Sequence, residues 1–256
     1  MKTILITQWY EPKNVARRKE LEFTLDQNIS HQDIDRIILL TNQDVSYEPA
    51  NNAKVTIVRM VPKPIVPQKH KVIILNPKPN VLPDGNRPKY SDLFDTINKY
   101  KKEHFRRVDC LLITANSDIY FHEDAIDQMK GEVTDKNALV LSRWDHTENG
   151  LVHFNRLDSQ DVWAVKNQFI EGDYNIVQGI SGCDNRIAAE LQRAGYVLSN
   201  PSLDIKTIHY HYEQYNTYSQ LAAVPGDYFF IHPHNMTRKK KGEKNDKVVK
   251  KRRHSH

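Results

Sequence analysis

Short apolar runs alternate with polar clusters and longer mixed segments along most of this chain. Lys2 to Thr7, Arg36-Ile-Ile-Leu-Leu40 and Lys54-Val-Thr-Ile-Val-Arg59 come first, followed by a central run at Cys110-Leu-Leu-Ile113. Ala138-Leu-Val-Leu-Ser142, Ser159 to Lys166 and Pro201 to Ile208 complete the set. Runs this short and this apolar are what strands buried on both faces require. Between them the pattern predicts helices from Asn14 to Gln27, from an N-cap at Ser91 to His104, from His122 to Met129, and from Asn185 to Ala194, closed by Gly195. The first helix carries Val15, Leu21 and Leu25 among charges, an imperfect apolar stripe. The order of elements predicts an α/β fold, a mainly parallel sheet with helices on both faces.

The polar clusters matter because ligands of open α/β sheets sit beyond the carboxyl ends of the strands. Asn116-Ser-Asp118 follows the central run, so Asp118 points toward such a crevice, although Asn, Ser and Asp also favour turns and caps for purely local reasons. Ser159-Gln-Asp161, Cys183-Asp-Asn185 and His209-Tyr-His211 are predicted at the same edge. A carboxylate with an imidazole can hold a divalent cation, and a hard cation that keeps water positions can bind a diphosphate. Asp118 with His209 or His211 is such a set. Asp184 stands at a helix head behind Gly179 and Gly182, where it can cap the helix and also serve as a general base, with Asp161 as the second candidate.

Composition changes the picture in two places. Prolines at 62, 64, 67, 77, 79, 83 and 88 forbid a helix between Val61 and Pro88, so this stretch is expected to be a long surface loop with at most a short strand at Val72 to Leu75. From Arg238 onward ten Lys or Arg face two acids, which places the positive charge in the tail and leaves residues 1–237 at about −3 out of a net +5. The expectation is a disordered basic tail at 238–256 able to contact anionic surfaces, behind one domain at 1–237. The apolar start is too short for a signal peptide and no run approaches a membrane span, so a cytoplasmic protein is expected. Two cysteines, Cys110 and Cys183, support neither a disulfide framework nor a thiolate zinc site.

Asn116-Ser-Asp-Ile-Tyr-Phe121, Ser142-Arg-Trp-Asp145, Ser159-Gln-Asp-Val-Trp163, Gly182-Cys-Asp-Asn-Arg-Ile-Ala188, Asn200-Pro-Ser-Leu203 and His209-Tyr-His211 together resemble the sequence blocks of a known group. These are the glycosyltransferase-like proteins of the GT-A fold found in large DNA viruses and some bacteria, and the likeness runs from about Lys2 to Tyr212. It implies a GT-A-like sheet, a hexosyl- or pentosyltransferase, a nucleotide diphosphate sugar as donor, a glycan or glycoprotein as acceptor, Mn²⁺ or Mg²⁺ as cofactor, and the host cytoplasm if the source is viral.

In GT-A enzymes an Asp-x-Asp motif ends the central strand and binds metal and diphosphate. Here Asn116 replaces the first carboxylate. The resemblance implies nucleotide-sugar contacts from Thr7, Tyr10, Arg87, Tyr90, Asn116, Ser117, Asp118 and Arg143, and metal ligation by Asp118, His209 and His211. If the reaction inverts, Asp184, or failing it Asp161, takes the role of base, a retaining reaction needing none, and Trp144 and Trp163 become platforms for acceptor sugar rings. Two other readings stand beside it. A nucleotidyltransferase usually carries a glycine-rich loop after the first strand, which Gln8-Trp-Tyr-Glu-Pro-Lys13 lacks. A non-catalytic sugar or nucleic-acid binder would keep the scaffold without the chemistry.

Overall fold

The computed structural model describes residues 1–48, 52–60, 87–212 and 223–236. The expected strand at Val72 to Leu75, nearly all of the proline-rich loop, and the basic tail lie outside the described residues. The chain begins with β1 (Lys2–Gln8), α1 (Val15–Ser30), β2 (Arg36–Thr41), β3 (Val55–Arg59) and α2 (Tyr90–His104). It continues through β4 (Cys110–Ala115), β5 (Ile119–Phe121), α3 (Ala125–Glu132), β6 (Asn137–Leu141), β7 (Trp144–Thr147) and β8 (Gly150–His153). The last elements are β9 (Val162–Lys166), α4 (Cys183–Arg193), β10 (Val197–Ser199) and β11 (Thr207–His209).

Seven of these strands form one sheet in the order β10-β6-β9-β4-β1-β2-β3. β1 and β4 are its centre: Ile4, Leu5, Ile6 and Leu111 to Ile113 are fully buried, as their unbroken apolar runs require. Helices α2 and α4 cover one face around Phe94, Ile97, Ile187 and Leu191. Helices α1 and α3 cover the other around Leu21, Leu25, Ile126 and Met129. Among the described residues no helix is long and apolar enough to cross a membrane.

The sheet is mixed α/β and mostly parallel, as expected, with one exception: β9 runs antiparallel between β4 and β6. The reason lies in the hairpin β7–β8, which the sequence pattern did not reveal. β6 ends at the carboxyl edge, the hairpin stays there, and β9 must therefore start at that edge and run back. A strand that starts where its neighbours end brings the residues preceding it, Gln160 and Asp161, into the edge where ligands bind. The hairpin belongs to a small second sheet, ordered β5-β11-β7-β8, built of strands of only three or four residues. Strands so short and so half-polar leave no readable period.

Other boundaries moved for local reasons. The helix expected at His122 starts at Ala125 because Ile119 to Phe121 pair with β11 first. Lys89, not Ser91, is the N-cap of α2; its backbone N–H donates to the Asp92 carboxylate at 3.0 Å. Of Pro201 to Ile208 only the end is strand. Helix α1 buries Glu20, Thr24 and Asn28 together with Leu21 and Leu25. The three polar residues recur every four positions: Asn28 Nδ2 donates to the Ile119 carbonyl of β5 at 2.9 Å, Thr24 Oγ1 donates to the Glu20 carbonyl at 2.9 Å, and Tyr212 N–H, after β11, donates to the Glu20 carboxylate at 2.7 Å. This polar buried stripe is why the helix reads as poorly amphipathic.

Candidate active site

The turn after β4 places Asn116, Ser117 and Asp118 at the carboxyl edge of the central strand, beneath the small sheet. The Asp118 side chain is 13% exposed. Its Oδ2 accepts from Arg17 Nη2 at 2.5 Å and lies 3.4 Å from His209 Nε2. Burial alone would raise the Asp118 carboxyl, but the charges of His209 and Arg17 more than reverse this and hold it well below the usual carboxylate range. His209 is also within 3.0 Å of Asp145 through Nδ1. Burial would lower this imidazole; Asp118 and Asp145 lift it instead to about 9. His211, on the same side of the chain two residues later, is lowered by burial and by Arg17, so it is a neutral imidazole at neutral pH.

Ligand atoms of Asp118, His209 and His211 lie within 4.8 Å of one another. His211 Nε2 is buried and has no hydrogen-bond partner among the described residues, a position a metal would satisfy. One carboxylate and two imidazoles suit Mn²⁺ and leave positions for water or phosphate oxygens. The donor set fits.

On the other side of the turn, Asn116 is a bridge. Its Nδ2 donates to Asp161 Oδ1 at 2.8 Å, and its Oδ1 accepts from Gln178 Nε2 at 2.9 Å. Asp161 is 4% exposed and also faces Arg143 Nη1 at 3.4 Å. An aspartate at 116 would set two carboxylates against each other. Asn116→Asp is expected to destabilise the fold by about 2 kcal/mol through the lost donor and the like charge, measured by denaturant unfolding. An unchanged midpoint would mean that this bridge is not formed.

Asp184 opens α4. Gly182, at the N-cap, has φ 79°, and a Cβ there would meet the Tyr228 hydroxyl at 2.6 Å, so the turn that delivers Cys183 and Asp184 needs glycine. The Cys183 thiol donates to Asp184 Oδ1 at 3.1 Å. Burial, and next to it the charge of Asp161, push the Asp184 carboxyl up to about 7. Arg143 joins the two halves of the site: Nε donates to Asp145 at 2.8 Å, Nη1 reaches Asp161, and the guanidinium lies 4.2 Å over the Phe154 ring. Burial works against this cation, but Asp161 and Asp145 keep it firmly protonated.

The remaining expected residues divide. Tyr10 comes close, its hydroxyl accepting from Arg17 Nε at 3.3 Å. Thr7 is buried, its hydroxyl unpartnered among the described residues. Arg87 Nη1 donates to the Gly179 carbonyl at 2.7 Å and so braces the turn before α4. Ser117 sits half-exposed between Asn116 and Asp118. Two expectations are overturned. Tyr90 is fully buried, its ring edge-on to Trp163 and its hydroxyl near Cys183, so it cannot contact a nucleotide. Trp163 is equally buried in the core between β4 and β6 and offers no face to an acceptor sugar. Trp144 is half-exposed, with Nε1 donating to the Ser202 carbonyl at 2.7 Å and Lys206 Nζ 5.1 Å over its ring.

Arg17, Glu20, Asp145 and Gln178 complete the cluster without having been selected from the sequence. For Asp145 the signal was available, since Arg143-Trp-Asp145 ends an apolar run.

No protein-family model and no curated protein sequence matches this chain. Among solved structures it is similar to a mannosyltransferase from Pyrobaculum calidifontis, PcManGT, in complex with GDP-Man and Mn²⁺, at 9% identity and TM-score 0.49, over 83% of this chain and 58% of that one. It is also similar to residues 1–349 of S. aureus TarS, at 8% identity and TM-score 0.45, over 82% of this chain and 60% of that one. A third is the 4-diphosphocytidyl-2C-methyl-D-erythritol synthase of Anaerococcus prevotii, at 13% identity and TM-score 0.35, over 65% of this chain and 70% of that one. At such scores the overlaps assign no role to any residue; the reading below stands on this chain's own side chains.

Proposed function

We propose that this chain is a glycosyltransferase of GT-A type that moves a sugar from a nucleoside diphosphate sugar to a hydroxyl of a glycan or glycoprotein. One observation carries the reading: Asp118, His209 and His211 converge at the end of the central strand, with the Asp161–Asp184 carboxylates across Asn116 from them. Asp118 and the two imidazoles would hold Mn²⁺ or Mg²⁺. A divalent cation there neutralises charge that develops on the departing diphosphate. Arg143 adds a fixed positive charge in a nearly dry site, where it acts more strongly than in water.

Asp184 is the base of this scheme. As the acceptor oxygen bonds to the anomeric carbon, the Asp184 carboxylate takes its proton, and the anomeric C–O bond breaks with its electron pair leaving on the diphosphate. A carboxylate held near 7 is matched to this task at neutral pH. Only the ionised form can accept the proton, so kcat/KM is expected to climb as pH rises through about 7 and then level off. A rate that falls over that range would remove Asp184 from the role.

The binding half of the proposal is tested by melting the full chain with ADP, GDP, UDP, CDP or dTDP in the presence of Mn²⁺ or Mg²⁺. One of them at about 100 times its Kd should add roughly 2.7 kcal/mol, a rise of about 5–10 °C for a chain this size. No rise with any of the five would count against the donor site.

A further inference from the structure

Arg17 is the cation already present at the end of the central strand. Its side chain is 13% exposed, and each of its three nitrogens has a partner: Nη2 on Asp118, Nη1 on Glu20 at 2.8 Å, and Nε on the Tyr10 hydroxyl. A planar fork of five donors matches carboxylate and phosphate oxygens alike, and it stays charged at any working pH. Asn14 caps α1 just before it, accepting from the backbone N–H of Ala16 and Arg17, so the backbone that carries this side chain is fixed. The oxygen that Arg17 holds, Asp118 Oδ2, is also the one nearest His209. A divalent cation drawing on this carboxylate therefore meets a resident guanidinium, and two cations crowded on one carboxylate repel strongly where water is scarce.

We propose that Arg17 has two partners in turn: it is the counter-ion of Asp118 until a divalent cation binds, and it grips the donor's diphosphate oxygens once that cation has taken the carboxylate. The inference rests on the donor-site reading above. Glu20 stays with Arg17 in both arrangements and aims it. The exchange leaves no buried carboxylate unpaired at either stage, which a neutral side chain would not achieve.

The test uses full-length Arg17→Gln and Arg17→Lys with two probes: Mn²⁺ alone, followed by the electron paramagnetic resonance signal of the free ion, and inorganic pyrophosphate with saturating Mg²⁺, followed by calorimetry. In Arg17→Gln the two affinities should move in opposite directions. Mn²⁺ alone is expected to bind about tenfold more tightly, its competitor gone, and pyrophosphate about 30-fold more weakly. Arg17→Lys keeps the charge and spares the fold; it is expected to lose about tenfold in pyrophosphate affinity with Mn²⁺ binding unchanged. Both affinities unchanged, or both reduced together in either variant, would mark Arg17 as a purely structural ion pair and overturn the proposal. Wild-type protein that takes up neither probe would bring down the donor-site reading itself, and Arg17's role with it.

Discussion

Asp118→Ala is expected to lower stability by about 3 kcal/mol, and the melting temperature by about 6–12 °C, while abolishing any rise produced by nucleoside diphosphate and Mn²⁺. Two effects combine. Removing one member of a nearly buried ion network takes from Arg17 and His209 a carboxylate that Glu20 and Asp145 replace only in part, and breaking such a buried pair costs more than the pair contributed. Removing the carboxylate also removes the only acid among the three ligating side chains. Asp118→Asn separates the effects: it keeps the volume and an acceptor oxygen, so much of the stability should return while the metal-dependent shift should not. Differential scanning fluorimetry on the three proteins, with and without ligands, reads both quantities. An alanine variant as stable as the wild type would show that Arg17 and Asp118 do not pair in solution.

Asp184→Asn is expected to do the opposite to stability. The folded protein holds the Asp184 proton up to about 7, whereas an unfolded carboxyl releases it near 3.8. Between those values the native state binds more protons than the unfolded chain, so stability falls as pH rises through this window and stays low above it. An amide cannot ionise and escapes that loss. At pH 8 the variant should therefore be more stable by about 2 kcal/mol, or about 4–8 °C, with the difference vanishing near pH 4. Sugar transfer should drop by about 10²–10⁴-fold, the usual contribution of a general base. Melting curves at pH 4 and pH 8 together with initial rates check the pair of outcomes. A variant that is less stable at pH 8, or that keeps its rate, contradicts the assignment.

The central sheet and half of the site could be read from residue order. Asp118 follows a buried apolar run, and a carboxyl-terminal strand end has one place to go in an open sheet, whereas His209 ends and His211 follows β11, a three-residue strand of the small sheet. Asp161 reached the same edge by a route the pattern concealed: it precedes its strand, and only the reversal of β9 brings it beside Asn116. Tyr90 stands next to polar neighbours and Trp163 inside an apolar run, and in neither case does residue order say whether the ring turns toward the crevice or under it. Arg17 and Glu20 were invisible for a different reason. Charged residues three apart on a helix ordinarily mark its wet face, and here that face meets the small sheet, whose strands are themselves too short to detect. Asn116 was expected among the nucleotide-sugar contacts, and its two hydrogen bonds also make it the spacer that lets Asp161 lie next to the turn.

The most direct measurement is anomalous diffraction at the manganese edge from crystals of the full chain grown with Mn²⁺ and a nucleoside diphosphate. The account predicts one strong peak bounded by Asp118, His209 and His211, with phosphate oxygens beside it. Manganese bound elsewhere, or a diphosphate seated away from these three side chains, would contradict it.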